Sequence, residues 1–459
     1  MSQAPRDVEL DETLLRPLHR VSRKLLVLVG ILILLVVNMF FAFSRQVWDG
    51  LGVTGMNHPV TWGFYIVNFV FFIGISHAGT LISAILRLSQ AEWRRPITRM
   101  AEVITVIVLA IGGVHPIIDL GRPDRVLNVF TSGRLQSPLL WDVTAISAYF
   151  MASTVYLFLP LIPDIAKLRD RGGALRPFYE FLSWGYTGTE RQKRVLENGM
   201  TVMMIIVIPI AVSVHTVISY IFAMTVQPGW HSTIFGPYFV VGAIFSGIAA
   251  LLIVMICFRA AFHLEDYLKP IHFSYLGKLL LIMSLLWFYF TFSEYLTAIY
   301  GNEPHEVRIV WYKFTGPYAP FFWGMLVTNF VIPVALLSSP KTRTIRNVLI
   351  ACIAVVIGMW LERLNIVVPS LANPRLPLDT GFYVPTFTEW SLFAGMIAVF
   401  ALGFIVFSKL FPLISVWEME EGRSHGVKAV TERVRSYLPG DHGAMSPRPE
   451  TRSNPKPEV

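Results

Sequence analysis

Apolar residues along this chain neither alternate nor recur at every third or fourth position. They run almost unbroken for twenty residues or more, with short polar stretches between the runs. A helix needs about 20 mostly apolar residues to cross a bilayer. Ten segments meet that length: 25–44, 60–88, 97–121, 139–163, 197–226, 236–266, 272–300, 314–338, 344–365 and 388–416. The pattern predicts an all-α, polytopic membrane protein. Pro116, Pro160, Pro209 and Pro333 fall inside spans, where neighbouring helices can satisfy the carbonyls they free. The first run lacks a small-residue cleavage site and is expected to remain as an anchor.

Composition narrows the picture. Only 15% of residues are charged against 54% hydrophobic, which excludes a large soluble enzyme. Two cysteines, Cys257 and Cys352, exclude a disulfide scaffold and a cysteine-ligated cluster. The net charge of +8 raises nucleic acid as a partner, but its distribution points to membrane topology. Counting residues at the span ends, 29 of the 38 Lys and Arg lie in the N-terminal tail, the even-numbered loops and the C-terminal tail. The positive-inside rule then puts both termini in the cytoplasm, in a cell inner membrane. No nucleic-acid partner is needed.

Gly63–Val67 and Phe72–Ile75 are echoed by Gly236–Val240 and Phe245–Ile248, an offset of 173 residues. Spans 2–5 and 6–9 are therefore expected to be two four-helix bundles of the same orientation, as in parallel-repeat transport folds. The expected organisation is a tail and first span (1–59), a first bundle (60–226), a second bundle (227–365), a loop and tenth span (366–417), and a charged tail (418–459) whose end is expected to be disordered.

Ionisable side chains at membrane depth are costly and usually face a protein interior or water. By helix rise, His115 and Asp119 share a face near the outer end of span 3, Arg122 follows at the boundary, and Asp142 lies about one turn into span 4 behind Trp141. These groups can converge in the outer leaflet. A His/carboxylate pair beside an apolar cleft suits a quinol, because each can accept one hydroxyl proton. The bland alternative is a set of interfacial charges reaching into water. A second set is scattered in depth: His77, Glu102, His215, Arg259, His263, Glu294, Glu362 and Arg363. They can form a proton path or paired structural charges, for example Arg363 with Glu294 or Glu362. Haem ligation is not expected, since His77 has no evident partner at its depth and no helix carries two well-spaced deep histidines.

The segments Ile73–Ala84, Arg99–Glu102, His115-Pro116, Gly121-Arg122-Pro123 and Ser137–Asp142 resemble the NrfD/PsrC family of quinone-interacting membrane subunits. So do Ser213–Val217, Pro228–Phe235, Tyr300–Asn302, Thr315–Tyr318 and Glu362-Arg363, so the likeness covers most of the chain. Within the family, length, ten spans and Pro-Gly-Trp-His are most similar to the ActC subunit of alternative complex III. The Asp at position 119, where ActC has a histidine, and a short loop before Trp141 depart from that pattern.

The resemblance implies a quinol-oxidising site near the periplasmic face. Asp119, Asp142 and His115 would be its proton acceptors, and Arg122 and Trp141 would also line it. The substrate would be menaquinol or ubiquinol, and the chain itself would bind no haem, iron–sulfur cluster or metal. It implies an iron–sulfur partner on the periplasmic side, multihaem cytochrome c subunits, a second NrfD-like membrane subunit, and proton conduits through His77, Glu102 and the second-bundle charges. The alternatives are the membrane anchor of a molybdopterin/iron–sulfur reductase and, from another class, a secondary transporter.

Overall fold

A computed structural model describes residues 13–19, 21–89, 91–375 and 381–422, except for the side chains of Ala78 and Glu92. The far ends of both expected tails lie outside the described residues. Among those residues the fold is entirely helical, and ten helices are long and apolar enough to cross a membrane. They are α1 (Arg23–Asp49), α2 (Phe64–Leu88), α3 (Thr98–Asp119), α4 (Pro138–Arg171), α5 (Glu190–Ala223), α6 (Phe235–Phe262), α7 (Pro270–Gly301), α8 (Ala319–Leu337), α9 (Ile345–Leu371) and α10 (Phe387–Leu410).

The starts follow from capping chemistry. Ser22 accepts from the Leu25 N–H at 3.1 Å, and Thr189 with Gln192 closes a capping box on α5. Pro138 and Pro270 open α4 and α7, where a missing N–H costs nothing. Several boundaries differ from the hydropathy reading. α4 and α5 each have 34 residues, about 51 Å by helix rise, because polar turns extend both helices beyond their apolar runs. The span expected at 314–338 starts instead at Ala319, and Phe314 ends a separate short amphipathic helix, Pro304–Phe314. A π-helical turn, Val327–Val331, interrupts α8.

Met1–Val416 form one unit; Trp417–Val459 form a second, described only to Gly422. In the first unit α2 is the hub, packing on α3, α5, α6 and α9. Gly79 permits the α2–α3 contact, since a Cβ there would lie 1.9 Å from the Ala101 carbonyl oxygen. α4 packs on α3 and α5, while α7 and α9 pack on α6. α1 pairs with α10, and its exposed face is a row of Leu, Ile, Val and Phe suited to lipid.

Candidate functional site

Helices α3 and α4 run antiparallel, with Gly113 opposite Ile146: a Cβ on Gly113 would stand 3.9 Å from Ile146 Cγ2. By helix rise, one turn further along each helix sets Asp142 near the level of the turn from His115 to Asp119, although no hydrogen bond or ion pair joins Asp142 to either residue among those described. His115 is buried with Phe72 of α2 across its ring, centroids 5.3 Å apart. Its Nδ1 lies 2.9 Å from the Ile111 carbonyl oxygen, which can only accept. Nδ1 therefore carries the proton and Nε2 keeps its lone pair. Asp142 is 4% exposed and its buried Oδ1 has no partner among the described residues. Asp119 makes no hydrogen bond there either, and it interacts electrostatically with Glu389 of α10 and Tyr65 of α2. Buried polar atoms are nearly always satisfied, so acceptors left open at one level mark a place for a ligand that donates.

The surroundings are tied down. Tyr65 donates to Gln46 Oε1 at 2.5 Å, and Gln46 Nε2 donates to the Ile118 carbonyl at 2.8 Å. Glu389 accepts from the Tyr383 hydroxyl, and from the Gly55 and Thr386 N–H groups at 2.8 Å each. The Tyr383 oxygen also accepts from Phe64 N–H at 2.9 Å. Burial, reinforced by Glu389, raises the Tyr383 phenol well above its ordinary range, so it remains a donor. Gln46, Tyr65, Tyr383 and Glu389 are not candidates from sequence. Glu389 sits in Thr386-x-x-Glu389, a capping box, and that motif is the one signal of it.

Two expected members stand differently. Arg122 faces outward and binds Asp124 through two hydrogen bonds of 3.1 Å, which hold the Asp124 carboxyl below its usual range. Trp141 is partly exposed and donates from Nε1 to the Leu135 carbonyl at 2.5 Å, bracing the loop before α4.

The dispersed charges are largely brought together. Ser83 donates to Glu102 at 2.6 Å and lies 3.2 Å from the Tyr156 hydroxyl. Thr80, Thr105, Ser76 and Tyr149 continue this polar seam between α2, α3 and α4. His77 lies against Tyr149, its Nε2 donating to the Ala211 carbonyl at 2.5 Å. Contrary to the depth estimate, His77 does have a partner at its own level. The His215 ring is in direct contact with it, centroids 3.7 Å apart. Hydropathy edges give no common baseline, because α5 starts well beyond the end of α2.

Neither nitrogen of His215 has a partner among the described residues, and Arg363 is its electrostatic neighbour. Arg363 reaches between α2 and α6 where Gly74 and Gly242 leave room; a Cβ on Gly242 would stand 3.1 Å from its Nη2. It pairs with Glu362, which accepts from Trp287 Nε1 at 2.9 Å. Glu294 lies further along α7, accepting from Ser232 at 2.5 Å. Arg259 and His263 stay apart: Arg259 caps the Leu268 carbonyl at 2.9 Å, and His263 ends α6 exposed at φ 54°. Among the described residues no three His, Cys, Asp or Glu side chains converge as a metal site.

The profile described as "Polysulphide reductase, NrfD" matches residues 52–374, about 70% of the chain. The chain belongs to the NrfD family. Its relatives include a Halobacterium salinarum protein provisionally named as a dimethyl sulfoxide reductase membrane subunit, 27% identical over 84% of this chain and 90% of its own. A selenate reductase subunit of Mesobacillus selenatarsenatis is 24% identical over 85% of this chain and 94% of its own. The Hdr-like menaquinol oxidoreductase integral membrane subunit of Archaeoglobus fulgidus is 24% identical over 85% and 95%. The NrfD match contains the His115–Asp119–Asp142 level and the His77–His215–Arg363 junction, whereas Glu389 and α10 lie beyond it.

Proposed function

We propose that this NrfD-family chain is the quinone-reactive membrane subunit of a multi-subunit respiratory oxidoreductase. The carrying observation is the buried Asp142 Oδ1, which has no partner among the described residues; His115, whose Nδ1 faces the Ile111 carbonyl, and Asp119 lie near its level by helix rise. A quinol offers two hydroxyl donors, and oxidising it requires two protons to leave with two electrons. One carboxylate and either the second carboxylate or the imidazole can take the protons. The electrons would pass to an iron–sulfur partner docked over this end, on the periplasmic side by the positive-inside argument. The substrate is menaquinol or ubiquinol. Family membership favours this reading over a secondary transporter.

Two complexes fit such a chain. One is an alternative complex III, in which electrons go on to multihaem cytochrome c beside a second NrfD-like subunit. The other is a molybdopterin reductase anchor, which the names of the Halobacterium and Mesobacillus relatives favour. Purification of the intact complex separates them: c-type haem absorbance supports the first, bound molybdenum the second, and a chain that purifies alone with neither overturns both.

His115→Ala is expected to raise the quinol KM about tenfold with kcat less affected, the effect of losing one hydrogen bond of roughly 1.4 kcal/mol. Lower thermal stability at unchanged KM would make it a packing residue instead.

The seam from Glu102 through His77, His215 and Arg363 to Glu362 is proposed as a proton path between the two halves. Protons from a quinol near one surface have no need to cross, yet these inner groups are kept at a cost of a few kcal/mol each. Glu102→Gln is expected to preserve electron transfer to an artificial acceptor and to lower proton movement in proteoliposomes. An unchanged proton-to-electron ratio would return the seam to a structural role.

A further inference from the structure

At the Glu294 end of α7, a cavity of about 40 Å³ opens between α6, α7, α9 and the helix Pro304–Phe314. That volume holds a few water molecules. Lys313 borders it, only 5% exposed, and its amine makes no hydrogen bond or ion pair among the described residues. It faces Glu294 from α7 and Glu306 from its own helix, with the Tyr295 ring 5.7 Å away. Tyr238 of α6 also lines the cavity, and it is the electrostatic neighbour of Arg363. α9 contributes only the apolar Ile366. At the rim, Glu306 approaches His231 at 3.6 Å, with side chains 19% and 42% exposed.

A buried lysine without a fixed partner is not a structural ion pair, because such pairs are kept by saturating their hydrogen bonds. A lysine between two carboxylates in a wet cavity can instead exchange its proton with water. We propose that the Lys313–Glu294–Glu306 cavity is a hydrated proton-exchange station, the water-facing terminus of the polar chain that reaches Arg363. The ligand is a proton carried by water, and no bond other than N–H is made or broken. Burial brings the Lys313 amine down to about 8, while Glu294 and Glu306 oppose that fall. Both forms are therefore accessible near neutral pH. The inference rests on reading the chain as a proton path.

The test uses the purified complex in proteoliposomes. Trace acetylation of Lys313 with acetic anhydride, read by mass spectrometry across pH, is expected to show a midpoint near 8. Glu306→Gln should lower that midpoint, since it removes a stabilising charge. Lys313→Arg keeps the cation for assembly but cannot release its proton near neutrality. It should halve proton movement or worse while electron transfer to an artificial acceptor continues. A Lys313 that labels only after denaturation overturns the station, because no water reaches it. So does full proton movement in Lys313→Arg when Glu102→Gln has lost it. If both variants move protons at the wild-type ratio, the path itself fails.

Discussion

Asp142→Asn should lower quinol-dependent turnover about 100-fold or more while the complex still assembles, the usual scale for removing a positioned proton acceptor. The amide keeps the shape of a residue that is 4% exposed and whose Oδ1 has no partner, so no existing hydrogen bond is lost with the charge. Asp119→Asn should act in the same direction. The two losses should not simply add, because both groups serve one substrate. Turnover close to wild type in both variants, measured with a soluble quinol, would remove this level of α3 and α4 from the chemistry.

The second large effect is structural. Arg99 and Asp164 form a buried ion pair joining α3 to α4, each 1% exposed. The same guanidinium donates to the Pro160 carbonyl at 2.7 Å, the Pro412 carbonyl at 3.3 Å and Ser415 Oγ at 3.1 Å. Asp164 also accepts from the Val416 N–H at 3.1 Å. Arg99→Ala takes the cation away from a buried carboxylate, a loss of roughly 3–5 kcal/mol. The expected result is little or no assembled protein in solubilised membranes. Arg99→Asp with Asp164→Arg should recover less than half, because the carbonyl acceptors would then face a carboxylate. Arg99→Ala with normal yield and melting temperature would show that the pair contributes nothing to the fold.

The ten crossings were legible because lipid leaves continuous apolar runs as the workable solution for a helix. Their ends were less so. α4 and α5 extend through Arg171 and from Glu190 on polar turns that hydropathy discards, and the span that hydropathy opens at 314 starts at Ala319, after a short amphipathic helix that hydropathy leaves as loop. Those misplaced baselines separated His77 from His215 on paper although their rings touch. Asp142 and His115 could be found because a charge or imidazole inside an apolar run stands out. Glu389 could not: in the first turn of a helix a Glu reads as a cap, and nothing local reveals that its carboxylate also meets Gly55 and Tyr383.

The meeting of Gln46 and Glu389 around Asp119 has a consequence for biogenesis. One comes from the first membrane helix and the other from the last, some 340 residues later in synthesis. A nascent chain released before Phe387 would already hold His115, Asp119 and Asp142, yet would lack the carboxylate that clamps the Gly55 and Tyr383 loops beside them. The hydrogen bonds that fix the loops beside Asp119 therefore form only once the helix Phe387–Leu410 has been made.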